Sequence, residues 1–333
     1  MHGGAIQEAC AFSGGAMAMK KFATILSFAA GVLLLAASAF AQISDLQGEG
    51  RAVVTVLPSR PDGQEAQVSL RDVQIKVNGK PANVTGWTRL SGDTARTELV
   101  LLIDGAARSS LGLQLGEIES FINEVPAHTK IAVAYMQNGR AVIASPLSAD
   151  PAAVLRGLHL PANVAGGNGS PYFCLSDLAK HWPSQDRGAR RVAVMITDGV
   201  DEYEMRYDPE DPYVHAAILD AVRAHLAVYS MYWSNRGPVD RSPYEDNAGQ
   251  SLLAQLTEAT GGFSYWQGPG NPVSFQPYFE NLRSRLRHQY ALTFSAPLDH
   301  KPGIRSLQVK VAVPSTKVNA PRQVYVSAAQ ALG

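Results

Sequence analysis

Hydrophobic positions along the chain fall into three patterns. The first is the unbroken apolar run: Leu99-Val-Leu-Leu-Ile leads to Asp104-Gly105, and Val192-Ala-Val-Met-Ile leads through Thr197 to Asp198-Gly199. Runs without a polar interruption predict strands covered on both faces. Ile131–Met136 and Leu226–Trp233 read the same way, and Phe263–Trp266 reads as a short last strand. The second pattern has helical spacing. Leu111, Leu115, Ile118, Ile122 and Val125 recur on one face until Pro126, with Ser109 or Ser110 placed to cap the first turn. Further helices are predicted after Asp150-Pro151, from Ser170-Pro171, up to Ala224, over residues 246–260 before Gly261-Gly262, and from about Gln276 to His288. The third pattern has period two. Val73, Ile75 and Val77 precede Asn78-Gly79, a hairpin signal, while Tyr290, Leu292 and Phe294, then Leu307, Val309, Val311 and Val313, alternate near the other end. These predict half-exposed antiparallel strands.

Buried strands alternating with helices predict a doubly wound, mostly parallel α/β sheet, flanked by N- and C-terminal antiparallel β segments. Ligands of such sheets bind at the strands' carboxyl ends, near the switch point. Neighbouring strands would therefore bring Asp104 and Asp198 to one crevice, where two close carboxylates need a cation or donors between them. The boundaries read as a targeting segment over 1–41, an N-terminal β segment over 42–95, the α/β domain over 96–288 and a C-terminal β segment over 289–333.

Composition narrows the function. The 333 residues carry 29 basic and 29 acidic side chains, so no net field marks the chain for nucleic acid. Lys20-Lys21, the uncharged stretch from Phe22 to Phe40, and Ala39-Phe40-Ala41 before Gln42 read as a cleaved signal peptide. An uncleaved membrane anchor is the rival reading. Residues 1–16 read as lying upstream of the true start, because Met17 or Met19 is better placed before the lysines. Cleavage would make the protein periplasmic or extracellular, without a stable transmembrane anchor, and would leave Cys174 without a disulfide partner. Leu178 and Trp182 follow Cys174 at four-residue steps, so it reads as a core thiol.

The order of elements, with Asp104 closing the first buried strand and Thr197-Asp198-Gly199 closing the fourth, resembles a von Willebrand factor type A (VWA) domain over about residues 96–288. It is most similar to exported bacterial proteins with such a domain between short β segments. The resemblance implies a metal-ion-dependent adhesion site at the top of the sheet, usually holding Mg²⁺. Asp104 matches its first aspartate, Asp198 its last, and Ser170 its threonine position. Ala106 and Arg108 stand where the D-x-S-x-S serines belong, so the site reads as degenerate. Losing two hydroxyls removes a third of an octahedral shell. Mg²⁺ or Ca²⁺ binding is accordingly expected to be weak or absent, with Ser109 and Ser110 able to contribute only if their loop bulges.

Each feature has a plainer reading beside it. Arg108 either faces a partner or closes the old site by pairing with Asp104 or Asp198. The loop of Asp201, Glu202, Glu204, Asp208, Glu210 and Asp211 either helps hold Ca²⁺, although without EF-hand spacing, or receives a basic partner, or is simply solvated. Tyr172, Phe173, Tyr203, Tyr207, Tyr213, Tyr232, Trp233, Tyr265 and Trp266 form either a protein-facing rim or core at strand ends. No G-x-G-x-x-G, P-loop or G-x-S-x-G motif accompanies the strands, which argues against nucleotide-dependent or serine-hydrolase chemistry. The expected function is a non-enzymatic adhesion-type module binding a protein or peptide through Arg108, Tyr172, Asp201, Glu202 and Tyr203. A structural role in an envelope assembly through the β segments is the alternative, and a doubly wound hydrolase a weaker one.

Overall fold

The structure is a computed structural model. It describes residues 47–328 except 61, 62, 64, 127, 163–166, 202, 204–207, 238–241, 267, 269, 299 and 300. The signal-peptide reading, Glu202, Glu204 and Tyr207 thus lie outside the described residues. The chain from Gln47 onward forms one compact unit.

The apolar runs are the centre of a six-stranded sheet. Its strands are β4 (Thr97–Asp104), β5 (Thr129–Gln137), β6 (Arg140–Ile143), β7 (Arg190–Thr197), β8 (Leu226–Tyr232) and β9 (Ser264–Tyr265). Their order is β6-β5-β4-β7-β8-β9, with β6 antiparallel and the others parallel. This doubly wound order is the one the VWA resemblance implies, and its switch point falls between β4 and β7. Helices α1 (Leu115–Glu124), α2 (Pro151–Leu155), α3 (Pro171–Lys180), α4 (Pro212–Arg223), α5 (Pro243–Thr260) and α6 (Gln276–Arg287) cover the two faces.

Alternation along the central strands splits the core. Leu99, Leu101 and Ile103 of β4 pack with Ile118, Phe121 and Ile122 of α1 and with Phe279 and Leu282 of α6. Val100 and Leu102 point the other way, into a core with Leu175 and Leu178 of α3, Ile218 of α4 and Leu256 of α5. All eight residues of β4 are buried, which is why the apolar run carries no polar residue until the aspartate.

The period-two segments do more than flank this sheet. The strands are β1 (Gln47–Pro58), β2 (Val73–Val77), β3 (Lys80–Arg89), β10 (Gln289–Pro297), β11 (Gly303–Val311), β12 (Thr316–Asn319) and β13 (Gln323–Ala328). They run in the order β10-β3-β2-β11-β13-β1-β12, and β1 also pairs with β10. The ring therefore closes into an antiparallel barrel around Val54, Ile75, Leu292, Phe294, Leu307 and Val326. Asn78 (φ 49°) and Gly79 (φ 75°) make the expected hairpin turn between β2 and β3. Partly buried Arg190 joins barrel to sheet: its guanidinium donates to the Ala95 and Leu286 carbonyls, Thr97 Oγ1 and Gln289 Oε1.

One local expectation fails. Ser109 and Ser110 do not cap the helix, because the chain first makes a 3-10 turn over Ser109–Gln114, with Arg108 at its cap position and α1 starting only at Leu115.

Candidate functional site

The bend after β4 and the turn after β7 decide where the carboxylates go. Ile103 of β4 is in register with Ile196 of β7, so Asp104 and Asp198 leave neighbouring strand ends at the same rim. Gly105 is needed at the first bend, since a side chain there would run into the Met136 carbonyl. Gly199 (φ 73°) makes the second, packed against Gly249 of α5.

Asp104 is fully buried, and both its oxygens are taken by hydrogen-bond donors. Oδ1 accepts from the Ala106 amide at 2.9 Å. Oδ2 accepts from Thr197 Oγ1 at 2.6 Å, and from the side-chain amides of Asn168 and Asn235 at 3.0 Å each. Burial pushes the Asp104 pKa up, and the donors from Thr197, Asn235, Ala106 and Asn168 oppose it. Asp198 is 5% exposed. Its Oδ1 accepts from the Val200 amide, and its Oδ2 from the Asn235 backbone amide at 3.2 Å. Asn235 therefore ties the two aspartates together, its side chain on one and its backbone on the other. Thr197, Asn168 and Asn235 are absent from the site read off the sequence; their signal was position, as polar residues at or just beyond strand ends on one rim.

The other site residues sort differently. Ser170 is the expected cap of α3, accepting from the Phe173 amide at 3.5 Å, while its own hydroxyl donates to Asp201 Oδ2 at 2.8 Å. Asp201 is buried in that contact and also accepts the Tyr203 amide at 2.9 Å, so it does not present its charge at the surface. Tyr172, expected on a partner-facing rim, has a fully buried ring whose hydroxyl donates to the Gly199 carbonyl at 2.7 Å. Arg108 does not close the site: its guanidinium donates to the Arg236 carbonyl at 3.2 Å, and the Asp104 carboxylate is satisfied by neutral donors instead. Neither Ser109 nor Ser110 reaches Asp104, and Ser110 Oγ has no hydrogen-bond partner among the described residues. In the acidic loop, Asp208 accepts the Glu210 amide and Asp211 caps α4 through the Tyr213 and Val214 amides. Cys174 lies in the core, its thiol pushed up to about 12 chiefly by burial.

This donor set does not fit a metal-ion-dependent adhesion site. A hard cation needs oxygen ligands aimed at it. Here N–H and O–H groups surround Asp104, the Thr197 and Ser170 hydroxyls donate to carboxylates, and Ala106 supplies an amide where a serine hydroxyl would stand.

Beside the exposed Ser109, Asp208 and Glu210, the rim exposes several large apolar side chains. Tyr203 (64% exposed) lies tilted against Phe173, with ring centroids 5.3 Å apart, and Phe173 meets Tyr213 edge-on at 4.8 Å. Leu113, Tyr203, Tyr213, Tyr244, Trp266 and Val273 are all exposed, and all lie in strand-to-helix connections or first helical turns at the carboxyl edge. By contrast Tyr232, Trp233 and Tyr265, also expected near this edge, are core residues.

No family model matches the chain, and no curated protein matches it. Among solved structures it is similar to an aerotolerance-related membrane protein from Bacteroides fragilis, at 14% identity over 57% of this chain and 98% of that one, with a TM-score of 0.41. It is also similar to BatB from Bacteroides thetaiotaomicron, at 11% identity over 57% and 97% of the two chains (TM-score 0.40). A third similarity is to the VWA domain of SpRpn10, at 16% identity over 53% and 98% (TM-score 0.29).

Proposed function

We propose that the protein is a non-enzymatic recognition module, which grips a protein or peptide partner with the exposed apolar side chains of its carboxyl rim. The observation that carries this reading is their concentration there. Leu113 is 83% exposed and Val273 95%, on an edge that also displays Tyr203 and Trp266. Large apolar side chains gathered at one surface mark interaction sites, and tyrosine and tryptophan are common binding hot spots. The buried carboxylate network ties the loops after β4, α2, β7 and β8 to one another, which supports a preorganised surface. Binding on this reading needs no cation, because the donors already satisfy Asp104. Nor does it use covalent chemistry, since the Cys174 thiol is buried and held protonated.

The targeting segment read over residues 1–41 supports an envelope or extracellular location for this activity. No helix among the described residues is long and apolar enough to cross a membrane. The test is recovery of envelope proteins on the immobilised protein in the presence of EDTA, beside Tyr203→Ser, Trp266→Ser and Asp198→Ala. A partner retained by the parent and lost from the rim variants supports the reading. Identical recovery by parent and variants would remove this face from consideration. Retention by an isolated barrel would favour the structural-assembly alternative.

A further inference from the structure

The opposite edge of the sheet carries a second feature, unrelated to the rim. Where the amino ends of β7 and β8 meet the barrel, a cavity of about 320 Å³ opens. A second, of about 360 Å³, adjoins it and shares Arg51, Arg187, Arg191 and His225 in its walls. No aspartate or glutamate lines either. The charged side chains lining the two are thus all basic, in a chain with equal numbers of acidic and basic groups.

The cations there differ in how far they are already committed. Arg190 is engaged at the junction between sheet and barrel. Lys180 and Arg223, at the outer margin, both pair with Asp220. Arg191 is positioned by the Ser184 carbonyl and lies over the Trp182 ring, 5.7 Å from its centroid. Arg51 on β1 and Arg187 in the loop before β7 are exposed and have no carboxylate partner among the described residues. The charges act on one another locally: burial pushes the Arg191 pKa down, Glu98 and Asp186 oppose this, and Arg51 and Arg187 add to it, while His225 is lowered to about 4 by burial together with Arg51 and Arg191. The inner cavity has an apolar part, walled by Val222, Leu226, Leu292 and Val324, beside the polar Thr260, Gln289, Thr293 and Gln323.

We propose that this cleft binds an organic anion, a phosphate or carboxylate head against Arg51, Arg187 and Arg191 with an apolar body in the cavity between sheet and barrel. The head gains charge-assisted hydrogen bonds from guanidinium groups that otherwise repel one another. The body gains burial in a preformed pocket of ordinary ligand size. The cleft lies at the far edge from Asp104, so its failure leaves the rim reading untouched.

Isothermal titration of the purified protein tests it, with octyl phosphate below its micellar concentration, inorganic phosphate and octanol as probes. The expected result is one saturable site for octyl phosphate, weakened by salt, with about tenfold or greater loss on Arg51→Glu and again on Arg187→Glu. Both positions are exposed, so these variants are expected to keep the fold. Inorganic phosphate should bind at least about tenfold more weakly, and octanol should show no saturable heat. Absence of a site for octyl phosphate, or equal affinity in parent and doubly reversed protein, overturns the proposal. Octanol binding as tightly as octyl phosphate overturns the anionic head, and inorganic phosphate binding as tightly overturns the apolar body.

Discussion

Asp104 is a buried carboxylate whose oxygens are met by four neutral donors. These donors compensate the hydration that burial removes, and the buried Thr197 and Asn168 donors are in turn met by the carboxylate. Asp104→Ala is accordingly expected to cost about 2–4 kcal/mol in urea unfolding, because it orphans Thr197, Asn168 and Asn235 together. Thr197→Val removes one donor and is expected to cost about 1–2 kcal/mol. The aspartates were legible in the sequence as the ends of apolar runs. The asparagines were not, since Asn168 and Asn235 sit 64 and 131 positions from the carboxylate they bond, in loops whose composition says only that they are loops. His225 carries a pH prediction. Its folded value of about 4 lies below the ordinary 6.5, so the unfolded chain binds a proton that the folded one refuses between those values. Stability should rise with pH across that window and fall on acidification, and His225→Gln should flatten this slope in denaturation curves recorded at several pH values.

At the scale of elements, strands and helices follow directly from period and punctuation. Every buried run became a strand, and the prolines and capping residues marked where α2 and α3 begin, whereas α5 starts at Pro243, three residues before the expected 246. The lapse at Ser109 has a local cause: Leu111 suits either a 3-10 or an α turn, and the tight bend at Gly105 and Ala106 delays the α-helix to Leu115. Barrel closure was hidden for a different reason. Nothing in the alternation of β1 or β10 states that Val54 will pair with Tyr290 where the ring closes, because pairing between distant strands leaves no local mark. Two element-level substitutions follow. In Gly249→Ala a methyl group would be driven into the Asp198 carbonyl oxygen, forcing α5 off the loop after β7; a loss of about 1–3 kcal/mol is expected by thermal or urea unfolding. Arg190→Ala strips the donors from Thr97, Ala95 and Leu286 at the junction, and about 2–4 kcal/mol is expected, with barrel amides exchanging faster than those of β4.

The whole molecule divides its labour between two edges of one sheet. The amino edge is fastened to the barrel and carries the arginine-lined cleft, while the carboxyl edge is free and carries the apolar rim. The sheet and its rim could be foreseen from two aspartates; the cleft could not, because Arg51 and Arg191 belong to segments that only the closed barrel brings together. The decisive question is whether the rim is held by hydrogen bonds or by a metal ion. Calorimetric titration of the protein with Mg²⁺, Mn²⁺ and Ca²⁺, beside Asp104→Ala, answers it most directly. No saturable heat in either protein is the expected result, and saturable heat in the parent that disappears in the variant would contradict it.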